Sequence, residues 1–257
     1  MSKKDRQAMA RIFVTGSTAG VGRNAATRLL EQGHEVILHA RNAKRAEDIS
    51  GLAAQAQVLT GDLGDLAAVR RMAGYLNAIG PMDAIIHNAG IIDAQRNETP
   101  DGLLRVLMVN ALAPYMLSLL AEQPARLIFT GSSMHRGHGE VLEDMEWTRR
   151  PWSSSSAYGE SKLMVMALAA AFARRLDGVT CHTVDPGWVP TRMGGASAGD
   201  PLDQAHVTQC WLATGADEAG GYWHHMRRQR PDPKVEDPAF QDTVLARFSE
   251  MTGVPVP

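Results

Sequence analysis

Short apolar runs alternate along the chain with longer segments whose apolar residues recur at helical spacing. Residues 84–86 and 127–129 are continuously apolar, which is typical of strands covered on both faces. The alternation predicts an α/β fold: a single doubly wound (Rossmann) domain with a central, mostly parallel sheet of about seven strands and helices on both faces. The predicted strands are 11–15, 35–39, 56–59, 83–87, 125–130, 178–183 and 220–223. The predicted helices are 20–32, 43–54, 65–79, 100–122, 156–176, 202–213 and 238–251.

The expected domain spans residues 11–257 and follows a short N-terminal lead-in at 1–10. A length of 257 residues suits one α/β domain, and the sequence has no internal linker and no repeat of solenoid period. Two segments, 134–157 and 190–200, interrupt the alternation directly after predicted strands. Because doubly wound sheets bind ligands outside the carboxyl ends of their strands, we expect both segments to form walls of a substrate site.

Charge and cysteine content narrow the class of protein. A formal net charge of −2 and a pI of about 6.5 leave no electrostatic footprint for nucleic acid. The two cysteines, Cys181 and Cys210, are not spaced as a pair, which argues against a disulfide scaffold and favours a reducing compartment. No apolar run approaches the ~20 residues that span a bilayer, and no apolar signal region follows the polar N-terminus. These features predict a cytoplasmic protein without nucleic-acid or membrane partners.

A glycine-rich turn follows the first predicted strand and opens the first predicted helix. Its sequence is Thr15-Gly16-Ser17-Thr18-Ala19-Gly20-Val21-Gly22. Glycine lets the backbone turn sharply and approach phosphates closely, and the helix N-terminus offers free N–H groups and partial positive charge. The spacing differs from the Gly-x-Gly-x-x-Gly fingerprint and lacks the Gly-Lys-Ser/Thr ending of a P-loop, which makes nucleoside triphosphate hydrolysis a poor interpretation. The turn predicts a site for the pyrophosphate of a dinucleotide.

Tyr158 and Lys162 lie four residues apart on a predicted helix and therefore share one face. A phenol has an ordinary pKa of about 10, and a nearby ammonium favours the phenolate, so we expect Lys162 to lower the pKa of Tyr158 toward neutrality. Ser132 and Ser133 end the fifth predicted strand, where a hydroxyl can hydrogen-bond a substrate carbonyl. These residues predict general acid–base chemistry on a carbonyl group.

Taken together, the Thr-Gly-x-x-x-Gly-x-Gly turn and the Tyr-x-x-x-Lys pair resemble those of the short-chain dehydrogenase/reductase family. The resemblance implies that Tyr158, Lys162, Ser133 and Asn110 form the catalytic set, with Asn110 holding a helical kink and a water near the lysine. Ser133 lies 25 residues before Tyr158, a longer interval than is usual in the family but similar to that of retinol-dehydrogenase-like members. The interval favours Ser133 over Ser132 as the active serine and leaves Ser132 open.

The resemblance also implies a set of cofactor-binding residues that follow in the family's order along the chain. Asn88-Ala89-Gly90 resembles the family's Asn-Asn-Ala-Gly, with His87 in place of the first asparagine, and Asp62-Leu63 matches the pair near the adenine. The segment with Pro186, Gly187, Val189 and Thr191 resembles the one that receives the nicotinamide. The full implied set is Gly16, Ser17, Thr18, Gly20, Val21, Gly22, Arg41, Asp62, Leu63, Asn88, Ala89, Gly90, Tyr158, Lys162, Pro186, Gly187, Val189 and Thr191.

The end of the second predicted strand bears on the choice of cofactor. A carboxylate about 20 residues past the glycine turn would bind the ribose 2′-hydroxyl of NAD(H). Ala40 stands at that place and Arg41 follows, and a guanidinium suits a 2′-phosphate. We therefore expect NADP(H) as the cofactor in preference to NAD(H). We also expect no metal at the site.

These observations predict an oxidoreductase that transfers a hydride between NADP(H) and a small-molecule carbonyl or alcohol substrate. One alternative is a non-catalytic NADP(H)-binding regulatory or sensor protein, and another is a sugar epimerase or dehydratase. His135 and His138, three residues apart, invite a metal interpretation but lack a third ligand, whereas Trp147 and Trp152 are candidates to face an apolar substrate. The helix at 163–173 is apolar nearly all round, so we expect a homodimer or homotetramer that covers it, unless 134–157 does so within one chain.

Overall fold

A computed structural model describes residues 9–216 and 218–257; most of the predicted lead-in, 1–8, lies outside the described residues. Eight strands form one sheet in the order β3-β2-β1-β4-β5-β6-β7-β8, in which β1 to β7 are parallel and β8 is antiparallel to β7. The strands are β1 (Arg11–Val14), β2 (Glu35–Ala40), β3 (Gln57–Thr60), β4 (Ala84–His87), β5 (Arg126–Thr130), β6 (Thr180–Asp185), β7 (Gly221–His224) and β8 (Arg227–Gln229).

Helices cover both faces of the sheet, which confirms the predicted doubly wound α/β class. Among the described residues, none of these helices combines the length and apolar character that a bilayer span requires. The helices are α1 (Gly20–Glu31), α2 (Ala43–Glu47), α3 (Ser50–Ala53), α4 (Leu66–Ile79), α5 (Arg105–Leu107), α6 (Ala113–Leu120), α7 (Ser154–Arg175), α8 (Val207–Ala213), α9 (Pro233–Glu236) and α10 (Pro238–Thr252), with a π-helical turn at Met108–Leu112 and a 3₁₀ turn at Ser133–His135.

Successive residues of the central strands point to opposite faces and build two separate cores. In β1, Phe13 packs into the core beneath α4, α6, α7 and α10, whereas Ile12 and Val14 pack into the core beneath α1 and α8. Burial on both sides is the reason why these strands read as continuous apolar runs instead of alternating ones.

The last part of the sheet differs from the sequence-based expectation. After β7 the chain turns at His225 and Met226, both with positive φ, and returns as β8, a strand absent from the predicted set. β6 also runs two residues later than predicted, because a turn at Gly178 precedes it and Asp185 still pairs with His224 of β7. β6 therefore delivers Asp185 to the carboxyl edge of the sheet.

The apolar helix α7 is buried within a single chain. It packs against α9 and α10, and Arg174 and Arg175 near its end form ion pairs with Asp242 of α10. Every residue from Gly159 to Ala169 is buried. The apolar surface that motivated the expectation of a homodimer or homotetramer is thus covered by the chain itself, and the oligomeric state stays a prediction.

Candidate functional site

One cavity of about 950 Å³ opens at the carboxyl edge of the sheet, where the strand order reverses between β1 and β4. This is the place where doubly wound sheets bind ligands. The glycine turn borders one part of the cavity and the Tyr158–Lys162 pair borders another. The predicted site residues that line it are Gly16, Thr18, Gly20, Val21, Gly22, Arg41, Asp62, Leu63, Asn88, Ala89, Gly90, Ser133, Tyr158, Lys162, Pro186, Gly187, Val189 and Thr191.

The glycine turn has the backbone that close contact with a diphosphate requires. Gly16 and Gly20 have φ of +67° and +56°, a region that favours glycine. A Cβ at Gly22 would lie 2.5 Å from the carbonyl oxygen of Gly16, so this position also excludes a side chain. Ala19, the N-cap of α1, provides no side-chain hydrogen bond, which leaves the N–H groups of the first helical turn available to an anion. The turn therefore fits the phosphates of a dinucleotide.

His39 holds the glycine turn against the sheet. Its Nδ1 accepts a hydrogen bond from the Gly16 N–H (2.9 Å), and its Nε2 lies 2.8 Å from the Gly61 carbonyl oxygen. These partners assign a neutral ring that carries its proton on Nε2. Burial lowers the pKa of His39, which keeps the ring neutral. Sequence reasoning missed this residue because an isolated histidine in an apolar strand carries no motif.

Among the residues of the glycine turn that the resemblance implied to bind the cofactor, Ser17 alone does not line the cavity. Its hydroxyl donates to the Val14 carbonyl (2.8 Å) and accepts from the His39 N–H (2.7 Å). The side chain is fully buried. It therefore braces the turn from behind, while its neighbours Gly16 and Thr18 border the cavity.

Two arginines border the part of the cavity next to β2. Arg41 is exposed just past the end of that strand. Arg45, one helical turn further on, donates through Nη2 to the Thr18 hydroxyl (3.2 Å) and pairs with Asp48. Asn42 caps α2 by accepting from the Arg45 N–H, and so orients that turn toward the cavity. Arg45 was missed because the predicted helix 43–54 carries no sign of which of its side chains reaches back to the glycine turn.

Tyr158 and Lys162 meet at the sheet edge near the end of β5. Lys162 is buried, its Nζ donates to the Thr130 carbonyl (2.8 Å) and it lies 5.5 Å from the ring centroid of Tyr158. Burial lowers the pKa of Lys162 to about 8, against the opposing influence of Asp185. Burial raises the pKa of Tyr158 to about 12, while Ser132 lowers it. The direction for Tyr158 is opposite to the predicted one, because burial desolvates the phenolate and the Asp185 carboxylate raises the pKa further.

The structure distinguishes the two serines that the sequence left open. Ser132, whose side chain caps the 3₁₀ turn by accepting from the Met134 N–H, is the serine beside Tyr158, where its hydroxyl lowers the pKa of the phenol. Ser133, the serine favoured by its spacing, is exposed, and its backbone N–H donates to Asp185 (2.7 Å). The geometry thus brings Ser132, and not Ser133, to the phenol, because the chain enters the 3₁₀ turn at that point.

Asn110 lies behind the cavity in the π-helical turn, where the resemblance implied a helical kink. Its amide donates to the Ile91 carbonyl and to the Ser161 hydroxyl, both at 2.9 Å, and its oxygen accepts from the Ile91 N–H (2.8 Å). A Cβ built on Gly90 would lie 3.4 Å from Lys162 Nζ and 3.5 Å from Asn110 Oδ1. Asn110 thereby fixes the loop after β4 beside the lysine.

Asn88 and Thr191 join the neighbouring loops to the glycine turn. The Asn88 amide donates to the Thr15 carbonyl (3.0 Å), and a Cβ on Gly20 would lie 3.0 Å from the Thr191 methyl group. His87, the departure from the family's motif, is buried against Phe129 and bonds Ser118, away from the cavity. The predicted loops therefore meet around one space.

Asp185 is a third residue that sequence reasoning missed. Its carboxylate accepts hydrogen bonds from the N–H groups of Ser133 and Gly187 and from the Tyr222 hydroxyl. These three bonds tie the loop after β5, the loop after β6 and strand β7 together at the end of the cavity that holds Tyr158 and Lys162. A carboxylate closing a strand at the carboxyl edge of the sheet was the signal available in the sequence.

Of the segment 134–157, Met134 alone lines the cavity, and the part around Trp147 and Arg150 packs on α7 instead. Glu160 of α7 accepts from Trp147 Nε1 (3.0 Å) and from Arg150 Nη1 (2.8 Å), and the Arg150 guanidinium lies 3.7 Å from the Trp147 ring centroid. Trp147, one of the two tryptophans suggested as substrate contacts, is therefore buried, and neither of them lines the cavity. Trp152 packs on Trp147 edge to face.

The histidines of this segment also have structural partners. His135 bonds the Ser132 carbonyl and the Asp232 N–H, and His138 bonds the Met134 carbonyl. Within residues 9–216 and 218–257, no group of three histidine, cysteine or acidic side chains is placed to hold a metal ion.

Sequence comparison relates the chain to known oxidoreductases. The family model described as short chain dehydrogenase matches residues 10–201. The chain is 39% identical over 257 residues to the short-chain dehydrogenase chyC of Penicillium rubens, covering 97% of this chain and 100% of that protein. It is 26% identical over 282 residues to human retinol dehydrogenase 13, covering 96% of this chain and 85% of that protein.

Structural comparison agrees on the fold. The Pseudomonas aeruginosa RhlG/NADP active-site complex superposes with a TM-score of 0.67 at 24% identity, covering 87% of this chain and 97% of that one.

Proposed function

The chain belongs to the short-chain dehydrogenase family, whose members are oxidoreductases of CH–OH and C=O groups that use a nicotinamide cofactor, and from this premise we propose that it is an NADP(H)-dependent carbonyl reductase or alcohol dehydrogenase with Tyr158 as its acid/base. The observation that carries the proposal is the convergence of Tyr158, Lys162 and Ser132 in the same cavity as the glycine turn. When bound there, the nicotinamide cofactor supplies or accepts the hydride.

In the direction of reduction, Tyr158 supplies the proton that the carbonyl oxygen requires. Because burial raises the pKa of its phenol to about 12, Tyr158 is protonated at neutral pH and ready to donate. Ser132, beside the phenol, is the hydroxyl placed to hydrogen-bond the substrate oxygen and steady the charge that develops on it. This assignment replaces Ser133, whose side chain is exposed.

Lys162 and Asn110 support the proton donor. The Lys162 ammonium is held by the Thr130 carbonyl and favours transient negative charge on the phenol oxygen. Asn110 holds the loop that carries Gly90 next to that ammonium. Their proposed roles are to stabilise and position Tyr158, with no direct contact to the substrate.

The proposed preference for NADP(H) rests on charge at the β2 edge. Arg41 and Arg45 both border the cavity there, and Ala40 provides no carboxylate to repel a 2′-phosphate. Hydrogen bonds to charged groups contribute about 1.5–3 kcal/mol each. Two guanidinium groups would therefore favour the phosphorylated cofactor by a factor of ten or more.

Replacing Tyr158 with phenylalanine tests the catalytic proposal. We expect Tyr158→Phe to lose NADPH-dependent reduction by at least about 10²-fold, the lower end for a general acid, while the Kd for NADPH stays within about threefold. The exposed Tyr75, changed in the same way, is the matched control and should leave both unchanged. Near-normal turnover by Tyr158→Phe would refute the proposal.

A second pair of variants tests the cofactor preference. Arg45→Ala and Arg41→Ala should each weaken NADPH binding about tenfold or more and change NADH binding little, as measured by titration of cofactor fluorescence. Arg71→Ala, at an exposed position of α4, serves as the control for lost positive charge. Tighter binding of NADH than of NADPH by the unaltered protein would overturn the preference.

A further inference from the structure

Large apolar side chains are exposed around the catalytic end of the cavity. Ile92, Met134, Trp188 and Met193 are 39%, 42%, 58% and 42% exposed, and all four line it. They make up half of the eight large hydrophobic residues that are exposed in the described part of the chain. Apolar side chains gathered at one concave place mark a binding surface, whereas scattered ones are ordinary.

Trp188 is held rigidly, although it is more than half exposed. Its indole Nε1 donates to the Gly194 carbonyl (3.0 Å), and its backbone N–H and carbonyl both bond Asp200, at 2.6 and 2.9 Å. The indole's polar atom is satisfied within the loop, so the ring presents apolar surface to the cavity. A fixed aromatic ring binds apolar ligands with little loss of conformational entropy.

The other three side chains surround the catalytic residues. Met134 directly follows the two serines of the loop after β5, and Ile92 follows the loop that carries Gly90. The Met193 methyl group lies 4.0 Å from the Cβ position of Gly90, which itself adjoins Lys162. An apolar surface therefore continues outward from the reacting end of the cavity.

Two of the charged groups at this end, Asp185 and Arg105, are engaged by the protein. Asp185 is buried and accepts three hydrogen bonds. Arg105 makes a two-point contact with the buried Asp93, through Nε at 3.0 Å and through Nη2. Arg192 is exposed at the rim. Besides Lys162, Arg105 and Arg192 are the cations at this end that an acidic substrate would use, so the experiment below includes such a substrate.

We propose that the substrate is an uncharged carbonyl compound with a bulky apolar body that covers Ile92, Met134, Trp188 and Met193 while its oxygen reaches Tyr158. This substrate class rests on the proposed carbonyl reduction. The apolar body binds through burial of hydrocarbon surface, and specificity is therefore set by size and the absence of charge.

Straight-chain methyl ketones of increasing length test the substrate class. Complete burial of one methylene group corresponds to about a fourfold gain in affinity, so kcat/KM with NADPH should rise about two- to fourfold per methylene until the surface is covered. A ketone of equal length that ends in a carboxylate should react at least about tenfold less efficiently. A kcat/KM that is flat with length, or a preference for the carboxylate, would overturn the proposal.

Three methionines of equal exposure allow a matched comparison. Met134, Met193 and Met226 are each 42% exposed, but Met226 lies in the turn before β8 and outside the cavity. Glutamine has a similar length and a polar end, so Met134→Gln and Met193→Gln should each reduce the gain per methylene. Met226→Gln should leave it unchanged, and equal effects of all three variants would contradict the assigned surface.

Binding of unreactive alkyl amides separates this proposal from the proposed reaction. With NADPH present, their Kd from tryptophan fluorescence should fall with chain length in the unaltered protein, and less so in Met193→Gln. Length-dependent amide binding without reduction of any ketone would refute the carbonyl reduction but retain the apolar site. Reduction of ketones together with length-independent amide binding would refute the apolar site alone.

Discussion

Replacing His39 with leucine tests whether this buried ring holds the glycine turn in place. Leucine has a similar bulk but offers no polar atom to Gly16 or Gly61. The variant removes two hydrogen bonds, of 2.9 and 2.8 Å. Each bond contributes about 0.5–1.5 kcal/mol, and a partner left without a bond costs about 1–3 kcal/mol. We therefore expect His39→Leu to lower the free energy of unfolding by about 2–4 kcal/mol.

The same substitution should weaken cofactor binding. Without the ring, the Gly16 N–H and the turn around it are no longer held against β2, and a loss of about 1.4 kcal/mol raises the Kd tenfold. We expect the Kd of NADPH, measured by fluorescence titration, to rise by about that factor. Urea unfolding followed by circular dichroism measures the stability.

His34→Leu is the matched control. This histidine is also buried, and its Nδ1 accepts from the Ala10 N–H (3.2 Å), but it does not line the cavity. Its loss should cost about 1 kcal/mol of stability and leave the Kd of NADPH unchanged. If His39→Leu and His34→Leu behaved alike in cofactor binding, the reasoning about the glycine turn would be refuted.

The His39 ring also predicts a pH dependence of stability. Because burial lowers its pKa in the folded state, the unfolded chain binds a proton more readily below the ordinary histidine pKa of about 6.5. Stability is thus lost as the pH falls from about 6.5 toward the folded-state pKa. In the urea series, His39→Leu should show a shallower decline over that range than the unaltered protein.

Three other residues yield further predictions. Gly22→Ala places a Cβ 2.5 Å from a backbone carbonyl oxygen. It should lower the free energy of unfolding by about 1–3 kcal/mol and weaken NADPH binding. Gly51→Ala, the control, has open space around its Cβ and should change neither thermal unfolding nor the NADPH titration. Glu160→Gln removes one of the two carboxylates that Arg150 contacts and leaves Asp144, at 3.6 Å, as the other. The variant should destabilise the protein by about 1.5–3 kcal/mol in urea unfolding. An unchanged midpoint would show that the contact between Glu160 and Arg150 contributes nothing to stability. Burial lowers the pKa of Lys162 to about 8, so its ammonium is lost as the pH rises through that value, and kcat/KM for NADPH should fall above about pH 8. A profile that stays flat to pH 10 would contradict this.

Local patterns in the sequence predicted the fold class, the glycine turn and the pair formed by Tyr158 and Lys162. Apolar runs alternating with helical spacing reflect strands buried on two faces, and that alternation predicted the sheet and its covering helices. Gly16, Gly20 and Gly22 stand out because backbone geometry leaves few other residues possible there. Tyr158 and Lys162 could be paired because residues four apart on a helix share a face. Each of these inferences concerns residues that are close in sequence.

Tertiary structure decided which side chains complete the site. The 3₁₀ turn brings Ser132 to Tyr158, although spacing alone favoured Ser133. Arg45 lies in α2, which the pattern merged with α3 into one helix at 43–54. Asp185 ends β6, which the pattern placed at 178–183. Burial set the pKa of Tyr158 in the direction opposite to that expected from a neighbouring charge.

The segment 134–157 shows why sequence alone could not settle these points. From the sequence alone, its tryptophans suggest substrate contacts. In the structure, Trp147 donates a hydrogen bond to Glu160 and helps to cover α7. Residues distant in sequence meet only after helices and strands have packed, and the side-chain partners, the desolvation and the accessible surface all follow from that packing. Periodicity within a segment carries information about its buried face and none about the group that will lie against it.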